Sequence, residues 1–160
     1  MFAGAEVVDA LQAAGVTHVV WLPDSDLGTW DAALSAAEGL TLVRVCREGE
    51  AFAVAAGLFI AGQRPVIVIQ CTGLFEAGDS LRNALYDLRA PLFTIVGVRS
   101  AKALRAGTTS DSCPVFVEPI MKAWNIPYVF LDDSRPVSDL AAEYVRARAE
   151  NRPGAVLIAE

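Results

Sequence analysis

The chain has 160 residues and a formal charge of −6, a size that suits one domain with a real core and a sign that argues against nucleic acid as the main partner. Hydrophobic residues make up 54%, yet no run approaches the ~18 apolar residues of a membrane span, and "MFAGAEVVDALQ" has no basic flank or cleavage site. The expectation is a cytoplasmic protein with apolar surface enough for an α/β core, an oligomer, or both. Cys46, Cys71 and Cys113 lie far apart with only His18 to assist, which disfavours a disulfide framework or a zinc site.

In chain order, "AEVVDALQAAG" has helical spacing and a glycine stop, and "THVVWL" is a short apolar strand that places His18 in a structural position. "PDSD" reads as a turn and a helix N-cap together. "LGTWDAALSAAEG" is the next helix, "LTLVRV" the next strand, and residues 48–62 a further helix. "PVIVIQ" is apolar nearly throughout, as a strand covered on both faces should be. "CTGLFEAG" reads as a loop, "DSLRNALYDL" as a helix, "PLFTIVGV" as a buried strand and "RSAKALRAGTTSDSC" as a long polar loop. "PVFVEPIMKAW" is helical despite Pro119, and "IPYVFL", "VSDLAAEYVRARAEN" and "GAVLIA" add a strand, a helix and a strand. Such alternation predicts an α/β fold: three layers, α/β/α, around a mostly parallel sheet of about six strands.

Ligands gather beyond the carboxyl ends of such strands, which directs attention to "PDSD", "CREGE", "CTGLFEAG" and "RSAKALRAG". No dinucleotide or phosphate-loop glycine motif is present, and no nucleophile elbow. Glu48 and Glu50 sit where strand gives way to helix. Acids in a first turn offset the helix dipole by roughly 0.3–1 kcal/mol each. The small residues behind them, Ala51, Ala53, Ala55, Ala56 and Gly57, allow close packing that would leave a carboxylate poorly hydrated and suited to sharing a proton. Both readings stand on the residues alone.

"REGEAFAVAAGLFIAGQRPVIVIQCTG" resembles the pyrimidine-binding domain of thiamine diphosphate-dependent 2-oxo acid decarboxylases, nearest to the sulfopyruvate and phosphonopyruvate enzymes. In that family a glutamate precedes a helical glycine by nine positions, and Gly57 then selects Glu48 and leaves Glu50 as a first-turn acid. "WLPDSDL", "RAPLFTIVGVR" and "RPGAVLIAE" extend the resemblance over nearly the whole chain, as a single pyrimidine-binding domain over residues 1–160. The resemblance implies that Glu48 activates the aminopyrimidine of thiamine diphosphate, bordered by Pro23, Cys71, Thr72 and Gly73. It places Asp24 and Ser25 toward a small 2-oxo acid; Arg99, Lys102 and Arg105 read either as receivers of an anionic substrate tail or as scattered cations of a solvated loop. The loop after Gly73 is longer than in the sulfopyruvate enzymes.

Family members hold Mg²⁺ through Gly-Asp-Gly and an asparagine a couple of dozen residues later. Here Asn83 follows Asp79 by only four, so Asp79 and Ser80 read as a helix N-cap and no metal is expected. The resemblance therefore implies the α subunit of a split decarboxylase. A β subunit would carry diphosphate and Mg²⁺, and homodimer contacts would lie within a hetero-oligomer. A non-catalytic scaffold or regulatory oligomer and an unrelated flavodoxin-like binding domain are the rival expectations.

Overall fold

The computed structural model describes residues 2–132 and 134–160. Six strands form one sheet in the order β2-β1-β3-β4-β6-β5, every neighbouring pair parallel. They are β1 (His18–Trp21), β2 (Thr41–Arg44), β3 (Pro65–Gln70), β4 (Phe93–Val98), β5 (Tyr128–Leu131) and β6 (Gly154–Ala159). The three central strands β3, β4 and β6 are buried along nearly their whole length, and their apolar runs follow from having helices on both faces. The edge strand β2 is the polar one, with Thr41 and Arg44 exposed.

One face carries α1 (Gly4–Ala13), α2 (Asp31–Ala36) with the 3₁₀ turn Leu27–Trp30 before it, and α8 (Ser138–Ala149). Val7, Leu11, Trp30, Leu34, Leu140 and Tyr144 pack there on the strand residues Val19, Trp21, Val68, Ile95 and Val156. Phe93 meets Tyr144 edge to face at 5.4 Å, an arrangement aromatic quadrupoles favour. The other face carries α3 (Glu48–Ile60), α4 (Cys71–Glu76), α5 (Gly78–Arg82) and α7 (Cys113–Ala123), on Val20, Ile67, Ile69, Val96 and Leu157. Pro119 lies inside α7 without ending it.

Two expected loops are partly helical. The segment after β3 enters α4 at Cys71 with no intervening loop, and only Ala77 separates α4 from α5. No residue there bars a helix, and Leu74 and Ala77 bury against the core. Within the long polar stretch, α6 (Ala101–Arg105) forms one turn and a half, anchored by buried Ala101 and by the Lys102 amide, which donates to the carbonyl of Glu160. From β1 the chain crosses one way to β2 and, on the other side, β3 follows, so the sheet has its switch point between β1 and β3. The crevice beyond the carboxyl ends of these two strands is where the candidate site lies.

Candidate functional site

α3 starts at Glu48 with Arg47 extended before it and no side chain capping its amides. The carboxylates of the first turn take up that role electrostatically. Glu50 Oε2 accepts from the Cys46 amide at 2.9 Å and is exposed, a local capping contact. Glu48 is half-buried and faces α4. A Cβ on Gly73 would stand 2.1 Å from Glu48 Cγ and 2.2 Å from its Oε1, so only a bare backbone at Gly73 leaves the Glu48 side chain where it is. On the next residue, a Cβ on Gly49 would meet Ser80 Oγ at 2.8 Å, and Arg47 reaches over to ion-pair with Glu76. The head of α3 is thus packed on the heads of α4 and α5.

The small residues act differently from expectation. Ala51, Ala55 and Ala56 are buried, but Ala53 is exposed and nothing lies within 4 Å of a Cβ on Gly57. Gly73 and α4, rather than the alanine stripe, enclose Glu48. The stripe has two faces because a helix turns 100° per residue and small residues at consecutive positions cannot all face one neighbour.

Beside this lip a cavity of about 570 Å³ opens at the switch point, its lining including Asp24, Ser25, Gln70, Arg99, Lys102 and Glu160. Asp24 holds the turn after β1: its Oδ1 accepts from the amides of Asp26 at 2.8 Å and Leu27 at 2.7 Å. This is the turn and cap expected of "PDSD". Its other oxygen, Oδ2, is enclosed without a partner. Burial raises the Asp24 carboxyl above its ordinary value, against the two amide bonds that lower it.

Glu160 follows β6, with its amide donating to the Val98 carbonyl and its carbonyl accepting from Lys102. Its side chain lies on β4 at Gly97, where a Cβ would come within 2.0 Å of Oε1. Glu160 Oε1 is enclosed and unpartnered, and Oε2 sits 3.5 Å from the Gln70 amide nitrogen. Burial first, then the charges of Asp24 and Asp26, push this carboxyl up to about 8. Gln70 links the cavity to the lip, since its Oε1 accepts from Thr72 Oγ1 at 3.0 Å, one residue before Gly73.

The residues singled out from sequence divide into two groups. Glu48 and Gly73 meet directly, and Asp24, Ser25 and Arg99 line the cavity with Lys102. Thr72 bridges the two through Gln70, while Pro23 stands exposed at the head of the β1 turn. Cys71 is buried beside Cys113, and burial raises its thiol to about 11. Arg105 is not a cavity residue. It ion-pairs with Asp132 at 3.1 Å and its guanidinium lies over the Phe130 ring, because α6 turns it away from Arg99. Arg99 itself pairs with Asp111 at 2.9 Å.

The reading of Asp79 as a helix cap is also corrected. Asp79 sits inside α5, paired with Arg82 at 2.9 Å and bonded to Asn83, and Ala77 occupies the cap position. His18 pairs with the neighbouring Thr17 hydroxyl at 2.9 Å, a structural position. Sequence reasoning passed over Gln70 and Glu160. Both are the polar residue that closes an apolar strand, in "PVIVIQ" and "GAVLIAE", and that signal was legible.

A family model described as "Thiamine pyrophosphate enzyme, N-terminal TPP binding domain" matches residues 1–118. Among solved structures, the chain is similar to benzoylformate decarboxylase from Polynucleobacter necessarius, at TM-score 0.73 and 22% identity. It is similar also to the thiamine diphosphate-dependent 4-hydroxybenzoylformate decarboxylase of Rhodococcus jostii RHA1, at 0.70 and 15%. A thiamin diphosphate-dependent enzyme from Mycobacterium smegmatis aligns at 0.66 and 20%. Each alignment covers 99% of this chain and 30% of the other, so the chain spans under a third of these proteins. No curated protein matches the chain.

Proposed function

Since the chain belongs to the thiamine pyrophosphate enzyme family, as its N-terminal TPP-binding domain, we propose that it is the pyrimidine-binding α subunit of a split thiamine diphosphate-dependent decarboxylase of a small 2-oxo acid. The observation that carries this reading is the contact of Glu48 with Gly73: a carboxylate at a helix head, pressed against a backbone kept bare for it. Such a lip suits a flat heteroaromatic ring, and Glu48 would hold the pyrimidine with Gly73, Thr72 and Cys71 beside it. When bound, thiamine diphosphate supplies the nucleophilic carbon and the electron sink for loss of carbon dioxide. Glu48 would hold the pyrimidine ring nitrogen and exchange a proton with it, and the bare backbone of Gly73 leaves its side chain the room it occupies. Buried Cys71, with its thiol raised to about 11, stays uncharged and keeps that wall dry. Asp24, Ser25 and Arg99 face the neighbouring cavity and orient the 2-oxo acid.

Gly78 and Asp79 do not reproduce the family's Mg²⁺ motif. Asp79 is committed to Arg82 and Asn83, which leaves it unsuited to hold Mg²⁺, and among the described residues no three acidic, histidine or cysteine side chains are placed for a metal. We place the diphosphate and Mg²⁺ site on a partner β subunit, with homodimer contacts inside the assembly. A phosphonate or sulfonate tail, as in phosphonopyruvate or sulfopyruvate, has Arg99 and Lys102 in its favour.

The test is decarboxylation of a panel of 2-oxo acids by the chain co-purified with its β partner. Glu48→Gln should lose at least a hundredfold in kcat, within the range of a lost acid–base group, while assembly persists. Near-normal turnover in that variant would overturn the reading and favour a scaffold or regulatory role.

A further inference from the structure

Asp111 lies between α6 and α7, and on its carboxylate the end of β4, the head of α6 and the head of α7 converge. Its Oδ2 stands 2.9 Å from Arg99 Nε and accepts from the Ser100 hydroxyl at 2.9 Å. Its Oδ1 accepts from the Cys113 amide at 2.9 Å, and its own amide donates to Thr109 Oγ1 at 3.1 Å. The Cys113 thiol is a further donor to the carboxylate. The Cys113 amide first, then the Ser100 hydroxyl, hold Asp111 below the ordinary carboxylate range, so it is charged at neutral pH. Its side chain is only 16% exposed, against 53% for Arg99.

Arg99 is fixed at both ends. Its amide donates to the Cys71 sulfur at the head of α4, and its Nε is turned to Asp111. Ser100, next in the chain, takes the left-handed conformation at φ 60° and ψ 13°. A residue with a Cβ holds that conformation only where its surroundings over-determine it, and such residues cluster at functional sites. Arg99 and Ser100 both line the switch-point cavity. With Asp111 on Nε, the two terminal nitrogens of Arg99 form no hydrogen bond among the described residues. They are a pair of parallel donors, matched to two oxygens of one carboxylate, sulfonate or phosphonate.

We propose that Asp111 is a positioning residue for the substrate: it holds Arg99 by Nε so that the terminal nitrogens take two oxygens of the substrate's anionic end. That this anion belongs to a 2-oxo acid rests on the decarboxylase reading above; the recognition itself belongs to this chain and is tested without cofactor or partner. Asp24 and Asp26 line the same cavity, so net charge offers an anion little here, and oriented donors must supply the recognition. Asp111 also offsets the guanidinium charge, and by Coulomb attraction alone its loss would tighten anion binding. A mere counter-ion and a positioning residue therefore predict opposite signs when the charge at position 111 is removed.

The measurement is a nitrogen-15 NMR titration of the isolated chain near neutral pH, read at the Ser100 amide and at Arg99 Nε. The probes are sodium pyruvate and sodium ethanesulfonate, at equal ionic strength. At least one should bind wild type saturably; pyruvate alone would assign Arg99 to the carboxylate end, ethanesulfonate alone to the tail. Asp111→Asn keeps an acceptor for the Cys113 amide but sets an NH₂ group against Arg99 and Ser100, and should weaken binding about fivefold or more. Arg99→Lys keeps the charge without the fork and should weaken it as much. In the Arg99→Lys background, Asp111→Asn should add no further loss, since no fork is left to position. Thermal unfolding checks the fold of each variant; if Asp111→Asn does not fold, Arg99→Lys decides alone, and wild-type affinity in it would overturn the proposal.

Unchanged or tighter binding in Asp111→Asn would show a counter-ion only and overturn the proposal. So would equal weakening by Asp111→Asn in both backgrounds, which marks a structural role, and so would a wild type that binds neither probe. These results leave the decarboxylase reading intact, since that one is decided by Glu48→Gln.

Discussion

Glu48 and Gly73 occupy space that a side chain at position 73 would have to share, with 2.1 Å between the added Cβ and Glu48 Cγ. The atom in the way belongs to a movable side chain and not to backbone. Gly73→Ala is therefore expected to keep the fold, with the midpoint of thermal unfolding within a few degrees of wild type. Glu48 turns aside to make room, and on the proposed decarboxylase reading kcat should fall at least tenfold. Equal losses of stability and activity would point to a structural role for the contact instead.

Glu50 is the internal control. Its carboxylate accepts from the Cys46 amide and is exposed, so Glu50→Gln should cost about 1 kcal/mol of stability or less. Activity should remain within a factor of about three of wild type, since no part of the lip is altered. Chemical denaturation of the isolated chain and decarboxylation with the proposed β partner read the two quantities separately.

Gly97→Ala probes the other close approach. The new methyl would come within 2.0 Å of Glu160 Oε1 and 3.1 Å of Leu27 Cδ1, so the carboxyl must leave its seat. Relieved of burial, Glu160 should titrate nearer its ordinary value of 4.5. A carboxyl carbon-13 midpoint still near 8 in this variant would mean that Gly97 does not set the environment of Glu160.

Stability should depend on pH through Glu160 with a definite sign. Its folded-state value, about 8, lies above the ordinary 4.5, so between these values the native state holds a proton that the unfolded state has released. Stability therefore falls as pH rises through this window and levels off above about 8. The raised Asp24 carboxyl adds in the same direction just above its ordinary range, whereas Asp111 and Asp132, both lowered, act only below about pH 4. Glu160→Gln should flatten the slope between pH 5 and 8. Parallel melting curves for the two proteins across that range would refute the assignment.

The cysteines should separate by reactivity. Cys46 is exposed, Cys71 is buried with its thiol raised to about 11, and Cys113 is half-buried and raised by burial and by Asp111. An aromatic disulfide reagent at pH 8 should modify Cys46 fast and the other two only on unfolding, because the thiolate is the reacting form. Two fast thiols in the native protein would contradict the packing of α4 on α7.

What the sequence determined by itself is the architecture, whereas the preference for Glu48 over Glu50 came from the family resemblance and not from the residues alone. Six apolar runs separated by helical spacing admit little besides a doubly covered parallel sheet, because backbone pairing and burial on both faces are local demands that each strand must meet. The nine-residue interval from Glu48 to Gly57 is likewise local, being two and a half turns of one helix. The helix at Cys71 was hidden because "CTGLFEAG" has turn-like composition, and its core contacts come from strands and helices distant in sequence.

Only the tertiary structure decided what surrounds the acids. Glu48 rests on Gly73, twenty-five positions away, and Asp24 shares a cavity with Glu160 at the far end of the chain. The same packing removed Arg105 from the group it seemed to form with Arg99 and Lys102. Charge spacing along a sequence says which groups exist; the crossing of β1, β3, β4 and β6 says which ones share a dielectric, and that sets whether a carboxyl near the site keeps its proton.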